Sequence, residues 1–484
     1  MAYMAEERLE EIRQARLGKR AAMLERGEVP YPAEARRSHT GAEFLEQFET
    51  LQADSVPVTL TGRIVSVRTH GSIAFVDIAD FAAKVQLQLT QDDVPEEIFA
   101  RLAALDAGDF IQASGEAAQS KRGSNVLRVG EFHILSKSIR PLPKTWFGLK
   151  DVETRYRQRE VDLLLTEKAK EILRTRSRVL AWLREDMQRR GFIEVETPIL
   201  QPIAGGALAR PFATHHQALD MELYLRIAPE LYLKRLLVGG FEKIFELGRN
   251  FRNEGIDREH NPEFTMCELY WAYADYEDLM DMTEELLSSL AATLSKNDWE
   301  KPWRRERFVD KMSELTGFDV AEKQSPEEYI PLFATHNLEL PHVRTYPKLL
   351  DALYKELWKP QLTEPTIVYD FPLPLAPLAK AKVVDARIAE KFQVVAQGVE
   401  LVNAYTELND PVEQRERFMV QQQQRDAGDE EIGKLDEAYL RALEYGMPPA
   451  AGWGLGVDRL VALLTEAGSI RETISFPLLK KEHD

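Results

Sequence analysis

Cysteine is almost absent: Cys267 is the only one in 484 residues. An internal disulfide and a cysteine-rich zinc site are therefore excluded. The lone thiol reads as a small buried hydrophobe. Long apolar runs are missing too, and none approaches the roughly 18 residues of a membrane span. Positive charge is in deficit, with 62 Lys and Arg against 80 Asp and Glu, a net charge of −18. This balance argues against broad nonspecific nucleic-acid binding but leaves room for a local basic strip. Residues 8–26 supply one: Arg8, Arg13, Arg16, Lys19, Arg20 and Arg26 against three acids. It fits either a solvated amphipathic helix or a contact with an RNA backbone. The N-terminal MAYMAEERLEEIRQ is acidic and helical rather than signal-like, so a cytoplasmic chain is expected. There is no Walker A sequence, and no G-x-G-x-x-G follows a strand at the start of a βαβ unit.

What remains is 44% hydrophobic and 29% charged, an ordinary globular composition with length for two or three domains. Residues 1–26 read as a helix ending near Gly27, and 41–52 as a short second one. From Val56 the period becomes strand-like. VTLTGRIVSVRTHGSIAFVDIADFAAKVQLQL holds three alternating runs, and DFIQASGEAAQ and NVLRVGEFHIL add two more. Five short strands with glycine-centred turns predict a small barrel, with an oligonucleotide-binding type among the candidates. IRPLPKTWFGLKDVETRYRQRE reads as a linker with Arg155, Arg157 and Arg159 at its end. Beyond it, helices over 165–190, 276–296 and 412–427 mix with the strands IEVETPIL, YLRIAP, KIFELG, FTMCELYWAY, TIVYDFP and VELVNAYTEL. They do not alternate as regular βαβ units, so a mainly antiparallel sheet flanked by helices is expected. The predicted class is α+β. The predicted boundaries are 1–54 for a helical extension, 55–143 for the barrel, 144–165 for the linker and 166–484 for the large domain.

The densest chemistry lies in FRNEGIDREHNPEFTMCELYWAYADY, residues 251–276. It reads as a hairpin with a turn near Gly255, carrying Arg252, Glu254, His260, Phe264, Glu268 and Tyr270. Cations suit phosphate, an aromatic face suits a base, and acids suit amines and hydroxyls. GWGLGVDRLVALLT, residues 452–465, is a glycine-rich strand running into a helix with Arg459 in its first turns. RSRVLAWLREDMQRRGFIEVETPIL, residues 176–200, is a long helix, a turn at Gly191, and a strand ending near Pro198.

In this order the three segments resemble motifs 1, 2 and 3 of the class II aminoacyl-tRNA synthetases, in the form of the lysine enzymes. The likeness extends through RPLPKTWFGLKDVETRYRQRE, PIAGGALARPFATHH, RIAPELYLKRLLVGGFEKIFELGRNFRNEG and LVNAYTELNDP. It implies an OB-fold anticodon-binding domain followed by a class II catalytic domain, and a homodimer formed through motif 1. It implies ATP as substrate, Mg2+ as cofactor, and L-lysine and tRNA(Lys) as partners. Lysyl-adenylate would form by in-line attack of the lysine carboxylate on the α-phosphorus, and a terminal ribose hydroxyl of tRNA would take the lysyl group. Lys311-Met312-Ser313 faintly resembles a class I synthetase loop, but its helical context marks it as chance.

A free lysine presents a carboxylate and two ammonium groups, which call for at least two buried acids. By resemblance Glu230 and Glu407 lie along the lysine, with Tyr270 at the ε-ammonium. Glu268 and the backbone at Gly206 lie toward the α-ammonium. Asn403 and Arg252 hold the carboxylate, and Tyr405 packs the stem. The resemblance puts Arg252 on the α-phosphate and Arg459 on the γ-phosphate. Phe264 and Arg459 enclose the adenine, with Glu254 and His260 beside the nucleotide. Glu400 matches a metal-contacting glutamate. In the barrel Arg68, Phe75, Gln86 and Glu131 match a U-rich anticodon site, where stacking and polar contacts to base edges are the expected physics.

The chain departs from the family pattern near the metal site. Gln393 stands where a second metal-contacting glutamate is usual, and an amide brings no charge to a hard cation. Lys391 replaces a usual arginine and Ala450 a usual threonine. Glu259 sits where a basic or polar residue is common, and residues 297–310 look unusual. These changes motivate an altered magnesium dependence. Two rival readings are a paralogue that passes lysine to a non-tRNA acceptor and a weakly catalytic RNA-binding paralogue. The barrel and basic helix speak against the first, and the intact Arg252, Glu254, Phe264 and Arg459 against the second.

Overall fold

Strand-period alternation from Pro57 to Ser136 closes into a barrel in the computed structural model, which describes residues 2–143, 151–296, 299–426 and 433–480. Met1, the linker half 144–150, residues 297–298 of the unusual insert and the end of the 412–427 helix lie outside them. The backbone divides into two units, Met1–Trp146 and Phe147–Asp484.

In the first unit the strands are β1 (Pro57–His70), β2 (Ile73–Ala79), β3 (Lys84–Thr90), β4 (Phe110–Gln119) and β5 (Asn125–Ser136). They close in the order β1-β2-β3-β5-β4. Inward residues such as Val58, Leu60, Val76, Leu87, Ile111 and Phe132 form the core. The region read as one helix over 41–52 is two, Gly41–Glu46 and Phe48–Ala53, broken at Gln47. Helix Ala2–Glu25 spends part of its basic strip locally. Arg16 is buried, with Nη1 donating to Ser138 O at 2.9 Å and Nη2 to Ala107 O at 3.0 Å. Lys19 pairs with Asp106 at 2.9 Å. These two cations serve packing, which shortens the strip open to RNA.

The described part of the linker, 151–165, is helical: Val152–Arg157 and Arg159–Leu165. Two of its arginines gather on a buried acid. Arg155 Nε and Arg159 Nη1 reach Asp162 at 2.9 and 2.6 Å.

The second unit is built on eight strands: β6 (Ile193–Glu194), β10 (Lys243–Phe251), β11 (Glu263–Ala272), β12 (Arg304–Arg307), β13 (Thr366–Pro372), β14 (Ile388–Ala396), β15 (Val399–Thr406) and β16 (Ala450–Gly456). Their order is β12-β13-β14-β15-β16-β11-β10-β6, antiparallel except for the outer pairs β12/β13 and β10/β6. A small sheet of β7 (Leu200–Gln201), β8 (Ala213–His216) and β9 (Met221–Leu225) stands beside it in the chain. IEVETPIL is therefore not one strand. Its ends belong to two sheets, because Pro198 cannot donate to a continuing ladder.

One face of the large sheet is apolar. Cys267, Leu269, Phe392, Val394, Val402, Ala404, Trp453 and Leu455 pack against helices Glu167–Arg189, Tyr276–Thr293 and Val457–Leu464. The helix Tyr276–Thr293 starts at a capping box of Asp275 and Asp278. The two-residue period then sends the neighbours of these core residues to the opposite face.

Candidate active site

That opposite face carries two rows of side chains across four strands. Gln393, Asn403, Gly454 and Glu268 lie in register, and Lys391, Tyr405, Gly452 and Tyr270 form the next row. A bulge completes the set. Val394 pairs with Val402 but Val395 pairs with Glu400, so Leu401 is extra. The added residue keeps both Leu401 and Val402 in the core and turns Glu400 to the polar face.

These rows floor a cavity of about 480 Å3, within the roughly 300–1,000 Å3 common for small-molecule sites. Every large-domain residue expected to bind lysine, ATP or metal lines it, with one exception. Glu407 is fully buried just outside the lining. Its Oε1 occupies the space above Gly452: a Cβ on that glycine would lie 2.0 Å from it and 2.6 Å from Tyr270 Cε1. The glycine-rich strand thus makes room for an acid and a tyrosine. Gly206, at φ +85°, fits as closely on Glu230, whose Cβ would be 2.9 Å from an added one.

At this end the acids are held tightly. Tyr405 OH donates to Glu230 Oε1 at 2.8 Å. Lys234 Nζ lies 2.6 Å from the same oxygen and also contacts Glu407 Oε2. Burial works against the Lys234 charge, but the two carboxylates outweigh it and raise its proton affinity. Burial pushes the Glu407 carboxyl up to about 8, although Lys234 pulls against it. Glu268 is pushed up to about 8, by burial first and then by the charge of Glu230. Tyr270 and Tyr405 are raised well above the usual phenol value, chiefly by burial.

The other end is built from the β10–β11 loop and the start of the helix Val457–Leu464. Arg252 N donates to Pro262 O at 2.8 Å, closing that loop. Its guanidinium stands 5.0 Å from the Phe264 ring centre. Burial lowers the Arg252 proton affinity against Glu254 and Glu268, yet a guanidinium stays cationic. Arg459 donates to Glu400 O at 3.1 Å and to Glu259 O at 3.4 Å, and its Nη2 is 3.1 Å from His260 Nε2. His260 Nδ1 lies 2.8 Å from Asp257 Oδ2. Glu254 and His260 are exposed. Gln393 Nε2 donates to Glu400 Oε2 at 2.8 Å.

Several buried polar atoms here lack a hydrogen-bond partner: Arg252 Nε, Asn403 Oδ1, Gln393 Oε1 and Glu407 Oε1. Buried polar groups are rarely left unpaired, so a cluster of them marks where a ligand's atoms belong.

Three groups were missed from the sequence. Lys234 is one; its i,i+4 spacing from Glu230 is readable but usually means a solvated pair. Asp458 is another: it accepts from Arg176 Nη1 at 2.5 Å and Thr265 N at 2.6 Å, tying all three motif segments together. Asp77 is the third, in the barrel. It accepts from Arg68 Nη2 and Gln86 Nε2, each at 3.0 Å, and from Ser66 Oγ at 2.7 Å. Burial raises its carboxyl, but these bonds and the charges of Lys84 and Arg68 hold it below the usual range. Phe75 is half-exposed beside Arg68 in register rather than in the core. Glu131 lies apart on β5, 3.0 Å from His133 Nε2.

Residues 151–480 match the family of class II tRNA synthetases (D, K and N), and residues 58–142 match the OB-fold nucleic acid binding domain. The chain belongs to the class II tRNA synthetases. A lysine–tRNA ligase of Pelotomaculum thermopropionicum is 45% identical over 98% of this chain and 96% of its own length. One from Carboxydothermus hydrogenoformans is 44% identical over 99% of both, and one from Clostridium perfringens is 43% identical over 99% of this chain and 98% of its own. The synthetase fold expected from the motifs, an OB barrel and a mainly antiparallel catalytic sheet, is the fold observed. Among its described residues no helix is long and apolar enough to cross a membrane.

Proposed function

We propose that this synthetase activates L-lysine with ATP and transfers the lysyl group to the 3′ end of tRNA(Lys). One observation carries the reading. A single cavity holds three buried carboxylates (Glu230, Glu268 and, just behind its lining, Glu407) at one end and two arginines, Arg252 beside Phe264 and Arg459, at the other. A diammonium amino acid matches the first set and a nucleoside triphosphate the second.

In this reading the ε-ammonium meets Glu230, Tyr270 and the unpaired Glu407 Oε1, and Tyr405 covers the stem. Glu268 and the Gly206 backbone take the α-ammonium. Asn403 and Arg252 orient the carboxylate toward the α-phosphate. Arg252 spans both substrates and stabilises charge at the α-phosphate as the carboxylate attacks in line. Arg459 holds the γ-phosphate and covers the adenine with Phe264, and Glu254 and His260 border the nucleotide. No side chain acts as a nucleophile, so positioning and charge do the work.

Mg2+ fits Glu400 together with the unpartnered Gln393 Oε1. Magnesium commonly takes one or two protein oxygens and completes its shell with phosphates and water. When bound it neutralises phosphate charge. In the barrel Arg68, Gln86 and Phe75 take unpaired anticodon bases, with Glu131 at the margin. The exposed apolar residues Ile193, Ile199, Leu200 and Leu219 around motif 1 favour a homodimer. A single buried cysteine suits the cytoplasm.

Charging of total tRNA, with ATP–pyrophosphate exchange across the twenty amino acids, tests the function. Lysine alone should support strong exchange, and only tRNA(Lys) should be charged. Exchange without charging would point to another acceptor and overturn the tRNA part.

A further inference from the structure

One cation buried just behind the lining of this cavity has no place in the steps above. Lys234 lies one turn after Glu230 in the helix Glu230–Val238 and is fully buried. Its ammonium is 2.6 Å from Glu230 Oε1, contacts Glu407 Oε2, and is 5.6 Å from the Tyr405 ring centre. It therefore takes one oxygen of each acid. Glu407 Oε1 stays without a partner over Gly452, and Glu230 lines the cavity. When both acids are ionised, two carboxylates and one resident ammonium leave a single uncompensated negative charge.

Buried like charges cannot both remain ionised without a cation between them. Without Lys234 one acid would take up a proton, and both would lose their anchor. We infer that Lys234 is a positioning and specificity-determining residue for the amino-acid substrate. It is a resident ammonium that orients Glu230 and Glu407 so that one further ammonium completes their charge. An amino acid with a neutral side-chain end leaves a buried carboxylate unpaired and is rejected for that reason. The inference rests on reading this cavity as the lysine pocket.

The test is lysine-dependent ATP–pyrophosphate exchange by Lys234→Met, with thermal unfolding as a check on folding. The KM for lysine should rise about tenfold or more, while the KM for ATP stays within about twofold. In a Glu407→Gln background the same substitution should add much less, because both changes break one unit. That pair leaves fewer unmatched charges and serves if the single variant does not fold. Lys234→Ala should regain part of its lysine affinity with added ethylammonium, which can only inhibit the unmodified protein. An unchanged lysine KM, equal rises in both KM values, or additive effects in the pair would overturn the inference. Failure of both variants to fold would make Lys234 a structural ion and overturn it as well. In each case the lysine-pocket reading survives if Glu230→Gln still loses lysine-dependent exchange. If that variant also behaves normally, the reading fails and takes the inference with it.

Discussion

The two ends of the cavity solve the same electrostatic problem in opposite ways. At the amino-acid end the charged groups stand on strands or a helix start, are buried, and are bound to one another before any ligand arrives. At the nucleotide end Glu254 and His260 are exposed on a loop, and Arg459 rests on backbone carbonyls and an imidazole. A small ligand with two ammonium groups brings little charge, so its partners must be dry and preset to discriminate. A triphosphate brings several negative charges and can draw partly exposed cations into place.

Arg252 belongs to both ends, so its removal should do the most harm. Arg252→Ala is expected to lower lysine-dependent exchange by about 10²–10³-fold or more. Near-normal exchange would break the joint reading of the site. Next comes a change that should spare both ends: Phe75→Ala should weaken tRNA charging by about tenfold through lost stacking, with exchange unchanged. A fall in exchange would show that the barrel face affects activation directly.

The pH response should separate the ends. Glu268, raised to about 8, carries a proton in the empty pocket at neutral pH. An ammonium favours its carboxylate, so lysine binding should release that proton. Lysine affinity should therefore rise between pH 6 and 8, by at most about tenfold per unit. Calorimetry in buffers of different ionisation enthalpy would detect the release, and ATP binding should lack it. The stability sign is opposite. Above the ordinary carboxyl value of 4.5 the ligand-free native state holds this proton and the unfolded chain does not. Its contribution is full below 4.5 and is lost as pH climbs through 8. The smallest effect is expected at Gln393. Restoring a carboxylate with Gln393→Glu should shift the magnesium midpoint of exchange to lower concentration by a few-fold. An unmoved midpoint would remove Gln393 from the metal argument.

Much of this was legible in the sequence because the motif resemblance pointed to residues that strand alternation then sets on one face. Phe264, Glu268 and Tyr270 are spaced by even numbers, as are Asn403 and Tyr405, and each set shares a face. Lys234 was not legible, because nothing in ELYLK says that the turn after Glu230 points inward. Asp77 and Asp458 were missed for a related reason: each looks like an ordinary acid until strands or helices distant in sequence close around it. The linker's helices were hidden behind the prolines of its first half, while in its second half Arg155 and Arg159 pair with Asp162 and Arg157 with Glu153.

The extra residue at Leu401 carries a consequence for how this strand can vary. It is a phase slip in an otherwise two-beat pattern. On one side of it the odd positions Asn403 and Tyr405 face the cavity, and on the other side the even position Glu400 does. A substitution there would be absorbed locally. Deleting Leu401 would restore plain alternation and keep Glu400 on the face of Asn403 and Tyr405, whereas straightening the bulge with Leu401 retained would turn Glu400 into the hydrocarbon interior. With Leu401 present, the bulge itself is therefore what keeps Glu400 on one surface with Asn403 and Tyr405.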